Sequence, residues 1–223
     1  MNLQTLSSGS QGNCYLLNQG GSFLIVEAGI RSADILDAVD FDINKVAGCL
    51  ISHEHQDHCK GAKGLAKYGI GIWGSAGTLN AIGSPGQSMT PLKQYQIGQF
   101  TVMGFDVQHD TAEPFGFLIH HPECGTIVFL TDSYYCKYRF PDVNHFIIEA
   151  NYCEDIIMQK DCVYRNRVLK SHMSIQTAIK FLKAHDLTKC ESITLIHLSN
   201  GNSDEQKFKD MVVSSTGVIC NVV

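Results

Sequence analysis

Seven residues, Ser52-His53-Glu54-His55-Gln56-Asp57-His58, limit what this chain can fold into more than any other stretch. Three imidazoles and an aspartate lie within six positions, too dense a polar cluster for a packed core. Neutral histidine and ionised aspartate are common nitrogen and oxygen ligands of zinc-like metals. The apolar run Val46-Ala47-Gly48-Cys49-Leu50-Ile51 before the cluster reads as a buried strand, and a short helical pattern from Lys60 to Tyr68 follows it. The cluster therefore falls at the carboxyl end of a strand, where open α/β architectures place their sites.

The spacing points to two metal positions. In an extended segment residues two apart face the same way, so His53 and His55 can share one ion, while Asp57 and His58 lie past the bend and face another. One loop cannot fill two coordination shells. Three later strand-like runs each end in a metal-capable residue: His109 after Phe100–Val107, Asp132 after Ile127–Thr131, and His197 after Ser192–Ile196.

This series resembles the metallo-β-lactamase superfamily over nearly the whole length. The resemblance implies an α/β (α+β) fold, an αββα sandwich of two mixed sheets flanked by helices, with residues 1–223 as one domain. It assigns His53, His55 and His109 to one divalent metal, and Asp57, His58 and His197 to a second, with Asp132 bridging them. True β-lactamases of the superfamily usually carry cysteine where Asp132 stands, which disfavours antibiotic hydrolysis. The segment Leu6-Ser7-Ser8-Gly9-Ser10-Gln11-Gly12-Asn13 resembles the opening of the nuclease-like YycJ (WalJ) subgroup. Ile147-Ile148-Glu149-Ala150-Asn151-Tyr152 and Ser171-His172-Met173-Ser174 resemble the acidic and histidine motifs of phosphodiesterase members, and His197-Leu198-Ser199-Asn200-Gly201-Asn202 echoes an Asn-rich tail motif. Glu27-Ala28-Gly29 departs from the subgroup, which tends to have aspartate first; the longer side chain is expected to shift a ligand slightly.

The implied chemistry is hydrolysis by a metal-bound hydroxide, with Asp57, His172 and Glu149 as catalytic candidates. His172 is expected to serve as acid or oxyanion stabiliser and Glu149 to orient its ring. The leading expectation is a nuclease acting on a nucleic-acid phosphodiester. The alternatives are a cyclic-nucleotide phosphodiesterase, a thioester or lactone hydrolase on the same metal core, or a metal-stabilised binding module. Zinc and manganese both suit the ligand set. A homodimer is an expectation of the resemblance alone.

The net charge of −5 argues against strong non-specific binding to a polyanion, though Lys160, Arg165, Arg167 and Lys170 cluster before His172. The nine cysteines show no CxxC pair. With no hydrophobic leader in Met1–Thr5 and no long apolar span, they read as reduced thiols of a cytoplasmic protein with no membrane partner. Cys59, beside His58, is a candidate for metal-promoted oxidation. Ser32, Ser75 and Ser174 are expected helix caps, the last leading Ile175, Ala178, Ile179 and Leu182 on one face. His120 and His121 suit a turn, and His185 suits a helix end as a partly positive imidazole.

Overall fold

A computed structural model of the chain describes residues 1–223 as two compact units. The first comprises residues 1–106 and 111–124. Its six-stranded sheet runs in chain order: β1 (Leu3–Ser7), β2 (Cys14–Gln19), β3 (Ser22–Val26), β4 (Val46–Leu50), β5 (Ile72–Gly74) and β6 (Gln87–Ser88). The first three strands pair antiparallel, and β3 to β6 pair parallel. Four short helices, α1 (Ser32–Asp37), α2 (Gln56–Cys59), α3 (Ala62–Lys67) and α4 (Ala76–Ile82), join these strands. Leu16, Ile25, Ile35, Leu36, Ile51 and Leu65 form their shared core. The unit also holds an antiparallel run of β7 (Gln94–Ile97), β8 (Phe100–Asp106) and β9 (Phe115–His121).

The second unit comprises residues 107–110 and 125–223. Strands β10 (Gly125–Leu130), β11 (Val143–Glu149), β12 (Ser192–Ile196) and β13 (Cys220–Val222) pair parallel throughout. Their near-continuous apolar runs, such as Ile127–Leu130 and Phe146–Ile148, are buried, as parallel strands covered on both faces require. Helices α5 (Glu154–Ile157), α6 (Cys162–Ser171), α7 (Ile175–Lys183) and α8 (Glu205–Thr216) belong to the same unit. No helix is long and apolar enough to cross a membrane.

Helix starts follow side-chain chemistry. The Ser75 and Ser174 hydroxyls accept from the Thr78 and Thr177 amides, as their positions predicted. Ser32 does not cap α1: the cap is Arg31, whose guanidinium pairs with Asp34 instead. On α7, Phe181 joins Ile175, Ala178 and Leu182 in the buried set, whereas Ile179 is only partly buried.

His185 is a correction of a different kind. It does serve the end of α7, because its Nδ1 donates to the Phe181 carbonyl at 2.8 Å. Burial against Phe140, Phe146 and Phe181, however, pushes the imidazole below the ordinary value of 6.5 and so disfavours its positive form. The unfolded chain therefore takes up this proton first as pH falls, so the contribution to stability is full above pH 6.5 and is lost as pH drops through the lowered folded-state value. Urea unfolding on either side of pH 6.5 should show a smaller acid loss in His185→Phe than in the unsubstituted chain. Equal losses would mean that this ring does not resist protonation.

Candidate metal centre

Parallel pairing builds the second unit's cluster directly. Leu130 lies opposite Ile148, and Glu149 opposite Ile196. Three adjacent strands thus end together and deliver Asp132, Glu149 and His197 side by side, with His172 added from the link between α6 and α7. Each of these four offers one ligand atom, and the four atoms lie within 4.8 Å of one another. Carboxylate and imidazole donors so grouped match the ligand chemistry of zinc- and manganese-like ions, so the residues present fit a divalent metal.

The Asp132 carboxylate faces a different ring with each oxygen. Oδ2 lies 3.7 Å from His109 Nε2, and Oδ1 lies 3.1 Å from His197 Nδ1. His109 Nδ1 sits 3.0 Å from the Ser171 carbonyl, which can only accept. That ring nitrogen must carry the proton, which leaves the lone pair on Nε2, toward Asp132.

Glu149 is fully buried and bonds to both neighbouring rings. Its Oε1 meets His172 Nδ1 at 2.6 Å and His197 Nδ1 at 3.0 Å, while Oε2 accepts from the Ser133 and Met173 amides at 3.2 and 3.1 Å. Burial alone would push this carboxyl up, but the two imidazoles outweigh it and hold Glu149 below the usual carboxylate range. In return, burial draws the His172 imidazole down while Glu149 more than offsets it, leaving the ring raised. Asn151 adds a bond to the His197 carbonyl at 2.9 Å.

In the first unit β3 and β4 end in register, Val26 opposite Leu50, which sets Glu27 beside the His-rich segment. His53 Nε2 and His55 Nδ1 are 3.1 Å apart. Ser52 Oγ holds His53 Nδ1 at 2.8 Å. Asp57 and His58 are already helical, within α2, so the helix starts inside the motif rather than at Lys60. Glu27 is fully buried, with Oε2 3.4 Å from His58 Nδ1 and Oε1 accepting from the Ser52 amide at 3.1 Å. Burial raises this carboxyl, and His58 and Ser52 offset part of the rise. The acid that departs from the subgroup pattern therefore orients a predicted ligand.

Residues Gly9–Asn13 form a clamp. The Asn13 amide nitrogen donates to the Gly9 carbonyl and lies 3.1 Å from His58 Nε2, and the Asn13 backbone amide donates to the Asp57 carbonyl at 2.7 Å. The close approach leaves no room at Gly29, where a Cβ would fall 1.7 Å from the Asp57 carbonyl oxygen. Gly29→Ala should therefore destabilise the chain by about 3 kcal/mol and lower its metal content, read by thermal unfolding and elemental analysis. An unchanged melting temperature would show that the segment relaxes freely.

Glu27, Asp132 and His197 have φ of 65°, 42° and 56°, the left-handed region that side chains rarely adopt. Each follows closely on the end of β3, β10 or β12. Such conformations cost roughly 1–2 kcal/mol per residue and concentrate at functional sites.

Sequence reasoning found the strand-end residues but missed how they are held. The Ser171 carbonyl and the Ser133 amide carry no side-chain signal, and Asn13 and Asn151 stand out in the sequence only as parts of longer motifs. Lys160, Arg167 and Lys170 are exposed on or beside α6, while Arg165 bonds to the Met158 carbonyl and the Arg167 guanidinium lies over the Tyr164 ring. The thiol of Cys59 is pushed up to about 12 by burial and donates to the Glu54 carbonyl, which fits a packed thiol rather than a reactive one.

Fold and site together define a metal-dependent hydrolase. The family model of the metallo-beta-lactamase superfamily matches residues 8–131, more than half of the chain, and the chain belongs to that superfamily. Its fold is the expected α/β arrangement of two mixed sheets flanked by helices. The chain is 29% identical to the exodeoxyribonuclease YycJ of Bacillus anthracis over 225 residues, covering 91% of this chain and 84% of that protein. Its structure is similar to the metallo-beta-lactamase fold protein YhfI from Bacillus subtilis, with a TM-score of 0.75 and 16% identity, covering 99% and 95% of the two chains. It is also similar to the short form of human tRNase Z, with a TM-score of 0.67 and 17% identity, covering 100% and 96%.

Proposed function

We propose that this hydrolase is a dinuclear metal phosphodiesterase that cleaves nucleic acid. The observation that carries the reading is the His172–Glu149 pair, 2.6 Å apart beside Asp132 and His197. Ester or thioester hydrolysis on metals alone gives such a pair no task. Phosphodiester hydrolysis does, because the departing oxygen must be protonated as its bond to phosphorus breaks. His172 Nδ1 is taken by Glu149, so Nε2 is the atom that donates. The nuclease and tRNase names of the similar proteins support the same class.

His53, His55 and His109 would hold one ion and Asp57, His58 and His197 the other, with Asp132 bridging. The two oxygens of Asp132, each toward a different imidazole, support the bridging role. When bound, zinc or manganese ions would supply the activated hydroxide and neutralise charge developing on the phosphate. Asn13 and Glu27 keep His58 in place, and Ser171 keeps the lone pair of His109 on Nε2.

The test is a panel of metal-replete assays on linear DNA, linear RNA, 3′,5′-cyclic nucleotides and a thioester. Shortening of a polymer supports the proposal. Opening of cyclic nucleotides alone would make the chain a small-molecule phosphodiesterase, and thioester cleavage alone would remove the task given to His172.

A further inference from the structure

The segment that follows Asp132 runs Ser133-Tyr134-Tyr135-Cys136-Lys137-Tyr138-Arg139-Phe140-Pro141. It holds three tyrosines and two cations and no acid, in a chain whose net charge is −5. Tyr134 and Tyr135 are 42% and 54% exposed, a large apolar area to leave in water. Lys137 and Arg139 are exposed too, and the Lys137 ammonium lies over the Tyr138 ring at 4.9 Å.

The root of this segment is tied to the catalytic pair. The Ser133 amide donates to Glu149, the Ser133 hydroxyl donates to the Tyr135 carbonyl at 2.8 Å, and the same hydroxyl accepts from the Gln108 amide. The Tyr134 amide donates to the Gln108 carbonyl, and its phenol reaches Gln108 Oε1 at 3.4 Å. Gln108 precedes His109, so Tyr134 stands beside two of the proposed ligands. Exposed aromatic faces with interleaved cations are how proteins hold unpaired nucleotides: bases stack on the rings and cations follow the phosphates. A duplex hides its base faces and gives such rings little to stack on.

We propose that Tyr134 and Tyr135, with Lys137 and Arg139, form a stacking platform that binds an unpaired strand of nucleic acid beside the metal centre. The inference rests on the nuclease reading and narrows it to single-stranded substrates or frayed ends. It also fits the acidic balance of the chain, because a short platform needs no long basic track.

The test is fluorescence anisotropy of a labelled, cleavage-resistant phosphorothioate oligothymidylate with the metal-replete chain. Tyr135→Ala should weaken binding by about tenfold or more, as loss of one stacked base predicts. Tyr135→Phe should keep wild-type affinity, because the ring face is retained. Lys137→Ala should lower the slope of log affinity against log salt by about 0.7, as for one lost single-strand phosphate contact. Unchanged affinity in Tyr134→Ala and Tyr135→Ala overturns the platform alone and leaves the nuclease reading intact. An equal loss in Tyr135→Phe also overturns it, since a hydroxyl contact would then be responsible. Failure of the unsubstituted chain to bind or cleave any polymer overturns the nuclease reading itself.

Discussion

Replacing Asp132 by alanine is expected to lower metal affinity by more than about 100-fold, because residues that merely support ligands already cost about 10–100-fold. The effect is large if Asp132 bridges two ions as proposed: one oxygen faces His109 and the other faces His197, so its loss would take a ligand from each proposed position. It also leaves those rings without the carboxylate between them. The backbone needs a control, since Asp132 has a φ of 42° and alanine tolerates that region poorly. Asparagine visits the region more readily and keeps the shape while removing the charge. In the metal-free form Asp132→Asn should therefore melt close to the unsubstituted chain, and it should still lose metal, as measured by elemental analysis after dialysis. Full occupancy in Asp132→Asn would end the bridging assignment.

Replacing His172 by alanine separates chemistry from metal binding. His172 is the partly exposed member of the cluster with Asp132, Glu149 and His197 and is not in the proposed ligand set. Its ring is held by Glu149 from one side and stacks at 5.3 Å between centroids on His197. His172→Ala should retain both ions while kcat on a linear phosphodiester falls by about 100- to 10,000-fold, the range of a lost general acid. Glu149→Ala should behave differently. It strands the Ser133 and Met173 amides as well as two rings, and each unsatisfied buried group costs about 1–3 kcal/mol. A His172→Ala enzyme with unchanged turnover would return this site to the ester and thioester alternatives.

The sites were legible in the sequence where chain direction fixes them. Asp132, Glu149 and His197 each close an apolar run, and parallel strands in register make such ends neighbours. The His-rich segment was legible for the same reason, because β4 ends just before it. Helix α6 was not. Val163 and Leu169 are exposed, and only Tyr164 and Val168 pack against Tyr152 and Ile157. The helix is instead started by Asp161, whose carboxylate accepts from the Val163 and Tyr164 amides, and is anchored by Asn202 on the Tyr164 hydroxyl. None of these gives an apolar period to read. Strand β7, Gln94-Tyr95-Gln96-Ile97, was missed because it is mostly polar and follows from its pairing with β8. The tautomer of His109 depends on a backbone carbonyl 62 positions away, which no motif records.

The most direct test of the whole account is a titration of the metal-free chain with zinc or manganese, followed by cleavage of a linear phosphodiester substrate. Activity should rise to a plateau at about two ions per chain. A plateau at one ion, or cleavage that does not depend on metal, would contradict it.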